Sequence, residues 1–313
     1  MPCDAPHSVV LRDPYVRTID GKKVAFIPFS EIVFTVNVPC GKCGVCRKNK
    51  VDEWSFRLRQ EYKDSYNGFF VTLTYAPAHV PRSANNFKTL SPGDLTNYFK
   101  RLRKWMNDDG IDYGKIKYYA VGEYGTQFER PHYHLIILNV SVDHLVEAWC
   151  KIDRGMSRTD VTESLGHVHI GTVTSDSIAY CVKYLDGGRI VPKHARDDRV
   201  REFSRMSNHI GAGYLTEEMI AWHKADLSRN YIQDGKFKIA LPKYCRNKIY
   251  SDIERRRQLD HILEASEASE ISARRRYFED YPEHGEAEYL LNKEFEKQGR
   301  YKKFVGNGKK RKI

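Results

Sequence analysis

Residues 130–138, RPHYHLIIL, constrain this chain more than any other stretch. Successive strand residues point to opposite sides, so His132, His134, Ile136 and Leu138 take one face and Tyr133, Leu135 and Ile137 the other. Both faces are apolar, as in a strand buried on two sides within a sheet. The two imidazoles at its head then have two readings. Either they are core-edge histidines satisfied by hydrogen bonds, or they are ligands about 6–7 Å apart along the strand that reach one ion between them.

The preceding segment, KIKYYAVGEY (115–124), is rich in β-formers, and the two segments predict an antiparallel hairpin with a loop of moderate length. That hairpin brings Glu123 beside His132 and His134, giving two nitrogen ligands and one oxygen ligand with coordination positions left open. Non-haem iron oxygenases use a similar set, so the ligands alone leave at least two reaction types. A second His-x-His, His167 and His169 in GHVHIGTV, is also strand-like, but it has no upstream acid as well placed as Glu123 and reads as a structural strand.

Upstream, GFFVTLTYAP alternates as a strand that Pro77 ends, and SPGDLTNYFKRLRKWMNDDG (91–110) is a helix with Ser91 as cap and Pro92 at its first position. Leu95, Phe99, Leu102 and Met106 form its apolar stripe, with Lys100, Arg101, Arg103 and Lys104 on the other face. DEWSFRLRQEYKDS (52–65) reads as a helix in which Trp54, Leu58 and Tyr62 recur every fourth residue and Arg57, Arg59 and Lys63 sit on the surface. SIAYCVKYLDGG (177–188) reads as a short helix closed by Gly187 and Gly188. Its Tyr180 and Tyr184 share a face about one turn apart, beside Lys183. They cover a core edge, or they are two nucleophiles aimed at one phosphodiester, which a metal or the Lys183 cation would have to assist because phenol ionises only near pH ~10.

The chain carries a formal net charge of +11 with a pI near 9.2, which favours a polyanionic partner. Twenty tyrosines add rings that can stack on unpaired bases. No apolar run is long enough to span a bilayer, and MPCDAPHSVV has no basic region leading into an apolar stretch, so neither membrane insertion nor export is expected. Seven cysteines without an export signal argue against a disulfide framework. Cys40, Cys43 and Cys46 in VPCGKCGVCRKNK have the spacing of thiolates converging on one cation, with Cys3 as the fourth ligand of a structural zinc; the alternative is reduced cysteines in a turn-rich loop. Cys150, Cys181 and Cys245 read as buried thiols.

Taken in order, FVTLTY, GEYG before RPHYH, and YCVKY resemble the motifs of HUH endonucleases, the rolling-circle replication initiators. PCGKCGVCR followed by Trp54, together with RMSNHIGAGY, resembles the initiators of gokushovirus-type microviruses, and the likeness spans roughly residues 1–250. It implies an α+β fold: a central antiparallel β-sheet flanked by helices, a ferredoxin- or RRM-like palm, with a helical C-terminal extension. His132 and His134 would lie on an inner strand and the tyrosine helix across the metal. It further implies that His132, His134 and Glu123 hold Mg²⁺ or Mn²⁺, and that Tyr180 and Tyr184 are alternating nucleophiles giving a 5′-phosphotyrosyl link and a free 3′-OH. The partners implied are single-stranded origin DNA and the host polymerase and helicase, in the cytoplasm of a bacterial host.

The chain divides on this reading into residues 1–65 with the cysteines and a basic helix, a nuclease core at 66–190, an accessory basic segment at 191–250, and a charged helical or flexible tail at 251–313. KFKIALPKYCRNKIY, in the accessory segment, is basic and aromatic and suited to tracking a DNA backbone. No GxxxxGK[ST] sequence occurs, so no fused helicase is expected. A non-enzymatic single-stranded nucleic-acid binder with structural metals stands as the other reading.

Overall fold

A computed structural model describes residues 3, 6–11, 15–19, 22–26, 34–125, 127–152, 157–183, 191–235 and 237–309. The chain forms two compact units, one of residues 51–258 and one of residues 1–50 with 259–313.

The larger unit is built on a five-stranded sheet of β1 (Gly68–Thr74), β2 (Lys117–Tyr124), β3 (Pro131–Leu138), β4 (Val168–Thr172) and β5 (Phe203–Met206), in the order β4-β1-β3-β2-β5. Every pairing is antiparallel. The His-x-His strand β3 is central, so its two faces close over separate cores as its pattern requires. Tyr133, Leu135 and Ile137 enter a core shared with Leu95, Tyr98, Leu102 and Trp105. Ile136 and Leu138 pack on the opposite side with Leu58, Tyr119, Val121, Ile178, Cys181 and Val182. The α+β class with an antiparallel sheet flanked by helices is therefore as read from the sequence.

Helix α1 spans Gly44–Lys63, helix α2 Pro92–Asp108 and helix α3 Ser175–Lys183. The Ser91 side chain caps α2 by accepting from the Asp94 amide, and the anticipated stripe of Leu95, Phe99, Leu102 and Met106 is buried. Arg101 departs from the charge pattern. It is buried rather than on the outer face, because its Nε donates to the Ala148 carbonyl at 2.9 Å and that backbone acceptor replaces water. Arg57 is buried for the same reason: its Nε donates to the Ile210 carbonyl at 3.0 Å, and its guanidinium lies over the rings of Trp54 and Tyr244. Gly211 makes that approach possible. At φ +76° it sits so close that an added Cβ would lie 2.9 Å from the Arg57 backbone.

Helix α1 also begins eight residues before the polar-apolar period predicts. Its opening turn is fixed by cysteine, the Arg47 amide donating to the Cys43 carbonyl and the Cys46 amide to the Cys43 sulfur, a start signal that periodicity does not register. In the accessory segment, Leu241, Cys245, Ile249 and Tyr250 are core, while Lys238, Lys243 and Lys248 stay exposed. Helices Asp252–Asp280 and Glu286–Lys309 make up the C-terminal region, and no helix among the described residues is long and apolar enough to cross a membrane.

Candidate active site

Register builds the site. Strand β3 pairs His132 with Glu123 of β2 and Thr74 of β1, and His134 with Val121 and Thr72, so all of these side chains share one face of the sheet. At the mouth of the hairpin the Gly125 amide donates to the Arg130 carbonyl and the Glu129 amide to the Gly125 carbonyl. Glu129, at φ +48°, is gripped by Arg199 at 2.7 Å and by Lys193, and Arg199 is in turn held by Asp197.

The two imidazoles present the same atom to the same acid. Glu123 Oε1 lies 2.8 Å from His132 Nε2 and 3.1 Å from His134 Nε2. Their other nitrogens are anchored behind, His132 Nδ1 to the Arg130 carbonyl at 2.9 Å and His134 Nδ1 to the Thr72 hydroxyl at 2.9 Å. Such outer partners turn Nε2 inward and fix ring orientation, as in metal-bound histidines. Phe70 stacks on the His134 ring at 5.6 Å.

Burial would push the Glu123 carboxyl up, but its hydrogen bonds to His132 and His134 outweigh burial and hold it below the usual range. Burial works against protonation of His132 too, and Glu123 outweighs it, so that imidazole is raised; His134 is lowered by burial, with the charge of His132 adding to it. The other carboxylate oxygen, Glu123 Oε2, is buried without a hydrogen-bond partner among the described residues. An orphaned buried oxygen on a carboxylate whose other oxygen faces two imidazoles is costly as it stands and suits a divalent cation. His132, His134 and Glu123 offer ligand atoms within 4.8 Å of one another, so the residues fit such an ion.

Helix α3 covers this face by burying Ile178, Cys181 and Val182, which turns Tyr180 toward the histidines. The Tyr180 hydroxyl lies 3.4 Å from His134 Nε2, with the two rings edge to face at 4.9 Å. Lys183 is the last described residue of the helix and is exposed. Tyr184, Gly187 and Gly188 lie outside the described residues. His169 pairs with Thr72 on the edge strand β4 and His167 precedes that strand; both are exposed and join no ligand group among the described residues. Cys150, Cys181 and Cys245 are buried free thiols, as anticipated, and Cys3, Cys40, Cys43 and Cys46 come together as a second ligand group.

Thr72 and Phe70 were not singled out from the sequence. Their signal lies in FVTLTY, but it becomes readable only once the β1–β3 register puts those residues on the histidine face.

Residues 68–188, which contain Glu123, His132, His134 and Tyr180, match the replication-associated protein ORF2/G2P family. The chain is 32% identical over 237 residues to replication-associated protein ORF2 of Spiroplasma virus 4, an alignment covering 74% of this chain and 73% of that protein. This chain belongs to the microvirus replication-associated proteins. Two further members of the family are replication-associated protein VP4 of Bdellovibrio phage phiMH2K, 26% identical over 200 residues, and replication-associated protein ORF4 of Chlamydia phage 1, 23% identical over 226. These alignments cover 62% and 67% of this chain, and 61% and 53% of the relatives. No solved structure matches the chain. As a microvirus replication-associated protein it is a replication initiator with DNA as its partner.

Proposed function

We propose that this initiator is an HUH-type endonuclease and strand-joining enzyme, which nicks single-stranded origin DNA by tyrosine attack and reseals it in rolling-circle replication. The observation that carries the reading is the Tyr180 hydroxyl 3.4 Å from an imidazole nitrogen of the Glu123–His132–His134 group.

His132, His134 and Glu123 would hold Mg²⁺ or Mn²⁺, which when bound supplies positive charge to the oxygens of the scissile phosphate. Tyr180 Oη attacks phosphorus and loses its proton; the Tyr–O–P bond forms as the bond to the sugar 3′ oxygen breaks, and that oxygen takes a proton to leave a 3′-OH. The bond energy is kept in the 5′-phosphotyrosyl link, so a 3′-OH can later attack it and restore the diester. Thr72 and the Arg130 carbonyl hold the imidazoles in orientation. Lys183, three residues along the helix from Tyr180, brings positive charge to the phenolate. Tyr184, by its four-residue spacing, serves as the second nucleophile that cuts the regenerated origin after one circuit.

The net charge of +11 draws the strand in. Phe128, 74% exposed in the loop that joins the strands of Glu123 and His132, offers a face to an unpaired base. Extension of the 3′-OH and unwinding fall to the host polymerase and helicase, acting in the bacterial cytoplasm.

The test is incubation with Mn²⁺ and single-stranded oligonucleotides tiled across the genome that encodes the chain. A covalent protein–DNA adduct on one tile, lost in the Tyr180→Phe, Tyr184→Phe double variant, supports the reading. Binding with no adduct on any tile supports a non-enzymatic single-strand binder in its place.

A further inference from the structure

The second ligand group lies in the smaller unit, and nothing in the proposed nicking uses it. It is assembled by backbone pairing. Strand His7–Leu11 runs antiparallel to strand Phe34–Val38, with His7 opposite Val38. The open end of that pair therefore brings Cys3, four residues before His7, beside Cys40, two residues after Val38, and the Cys40 amide donates to Cys3 Sγ at 3.2 Å. Gly41 then turns the chain with a left-handed φ of +72°, and the Cys43 amide points back at Cys40 Sγ, 3.2 Å away. Helix α1 starts at once, and its Cys46 amide donates to Cys43 Sγ at 3.5 Å.

The result is four sulfurs within 4.8 Å of one another, Cys3 Sγ and Cys43 Sγ being 3.7 Å apart. A tetrahedral ion with metal–sulfur bonds of about 2.3 Å separates its ligands by about 3.8 Å. A disulfide needs sulfurs ~2.05 Å apart and would use only two of the four, whereas here none of the four is in a disulfide and all converge on one point. Sulfurs this close surround a single ion and leave no room for a multinuclear cluster. Amides aimed at three of the sulfurs supply the outer hydrogen bonds that metal-bound cysteines take.

We propose that Cys3, Cys40, Cys43 and Cys46 form a closed tetrathiolate zinc site that staples the start of helix α1 to the open end of the strand pair. Four soft donors with no open position make the site structural and favour Zn²⁺ over the harder ions suited to His132, His134 and Glu123. The need for it follows from the local architecture. Among the described residues 1–50 hold only two two-stranded sheets and the first turns of a helix, and an isolated strand pair is marginal in water. Cys3 and Cys40 are 37 residues apart, so one ion closes a loop long enough to matter for chain entropy.

The proposal is independent of the nicking reading, and its test keeps the two apart. Full-length protein without a histidine tag, purified under reducing conditions without chelator, is assayed for metals by mass spectrometry. One zinc per chain is expected, retained in the His132→Ala, His134→Ala double variant and lost in Cys43→Ser. Because Cys43→Ser can fail to fold, the wild-type chain is also stripped and reloaded with Co²⁺, which should give thiolate-to-cobalt charge-transfer absorption of a four-sulfur site. Metal-free protein that takes up no cobalt through sulfur overturns the proposal, as does stoichiometric iron, a Cys3–Cys43 disulfide in protein alkylated at lysis, or zinc that leaves with the histidines and stays in Cys43→Ser.

Discussion

The Tyr180 hydroxyl stands 3.4 Å from Nε2 of His134, reaching from helix α3 to the central strand of the sheet. The contact joins residues 46 apart in the chain, and neither segment encodes it alone. It arises because Ile178, Cys181 and Val182 bury one side of a nine-residue helix on the face where β3 carries its imidazoles.

The ligand group should depend on all three side chains and on what orients them. Replacing His132 and His134 by Ala abolishes Mn²⁺ binding in calorimetry and adduct formation with DNA, while the same changes at His167 and His169 leave both. Thr72→Val removes the partner of His134 Nδ1 and keeps every ligand, so Mn²⁺ affinity falls by about 10- to 100-fold. Unchanged affinity in Thr72→Val would show that the hydroxyl does not orient the ring.

Tyr133, on the opposite face of β3 from the histidines, is a stability residue. Its hydroxyl donates to the Ser91 carbonyl, accepts from the Ser91 amide, and lies 2.9 Å from that of Tyr75, which donates to Asp94. Tyr133→Phe strands these buried groups at the cap of α2 and should cost about 1–3 kcal/mol in urea unfolding. A loss near zero would mean that water replaces the hydroxyl.

Much of this was legible in RPHYHLIIL and its neighbours, and for a physical reason. A strand buried on both faces has a period-2 pattern and a fixed pairing partner, so placing Glu123 opposite His132 needed only the hairpin. The Thr72 anchor was not legible, because it depends on which strand lies on the other side of β3. Arg57 and Arg101 were misread because charge alone assigns a side chain to water, whereas a long guanidinium can bury its stem and still find a carbonyl or an aromatic face. The early start of α1 was hidden because cysteine sulfur, which fixes its first turn, does not count in a polarity period.

Acid should weaken the loop clamp in a definite direction. The Arg199 guanidinium hydrogen-bonded to Asp197 holds that carboxyl far below the usual carboxylate range. A group depressed on folding adds stability that is fully present above its unfolded value near ~3.9 and is lost as pH falls through the folded value. Asp197→Asn should therefore lower Tm at pH 7, and its gap from the wild type should shrink only below about pH 4. A gap that is constant across that window would contradict the assignment.

Phe128 tests the path of the strand. If its exposed ring stacks on a base, Phe128→Ala should weaken single-stranded DNA binding by about 1–3 kcal/mol without shifting the urea midpoint. Equal affinity for the two proteins in fluorescence anisotropy would remove the ring from the interface.

The most direct test of the nicking account is the identity of the atom that carries the DNA. Protein–DNA adduct formed with Mn²⁺ is digested with nuclease and protease, and the residual phosphonucleotide is mapped by tandem mass spectrometry. The account predicts a phosphotyrosyl linkage at Tyr180 or Tyr184, joined to the 5′ side of the cut. A linkage at a serine, at a histidine or at a tyrosine elsewhere in the chain would contradict it.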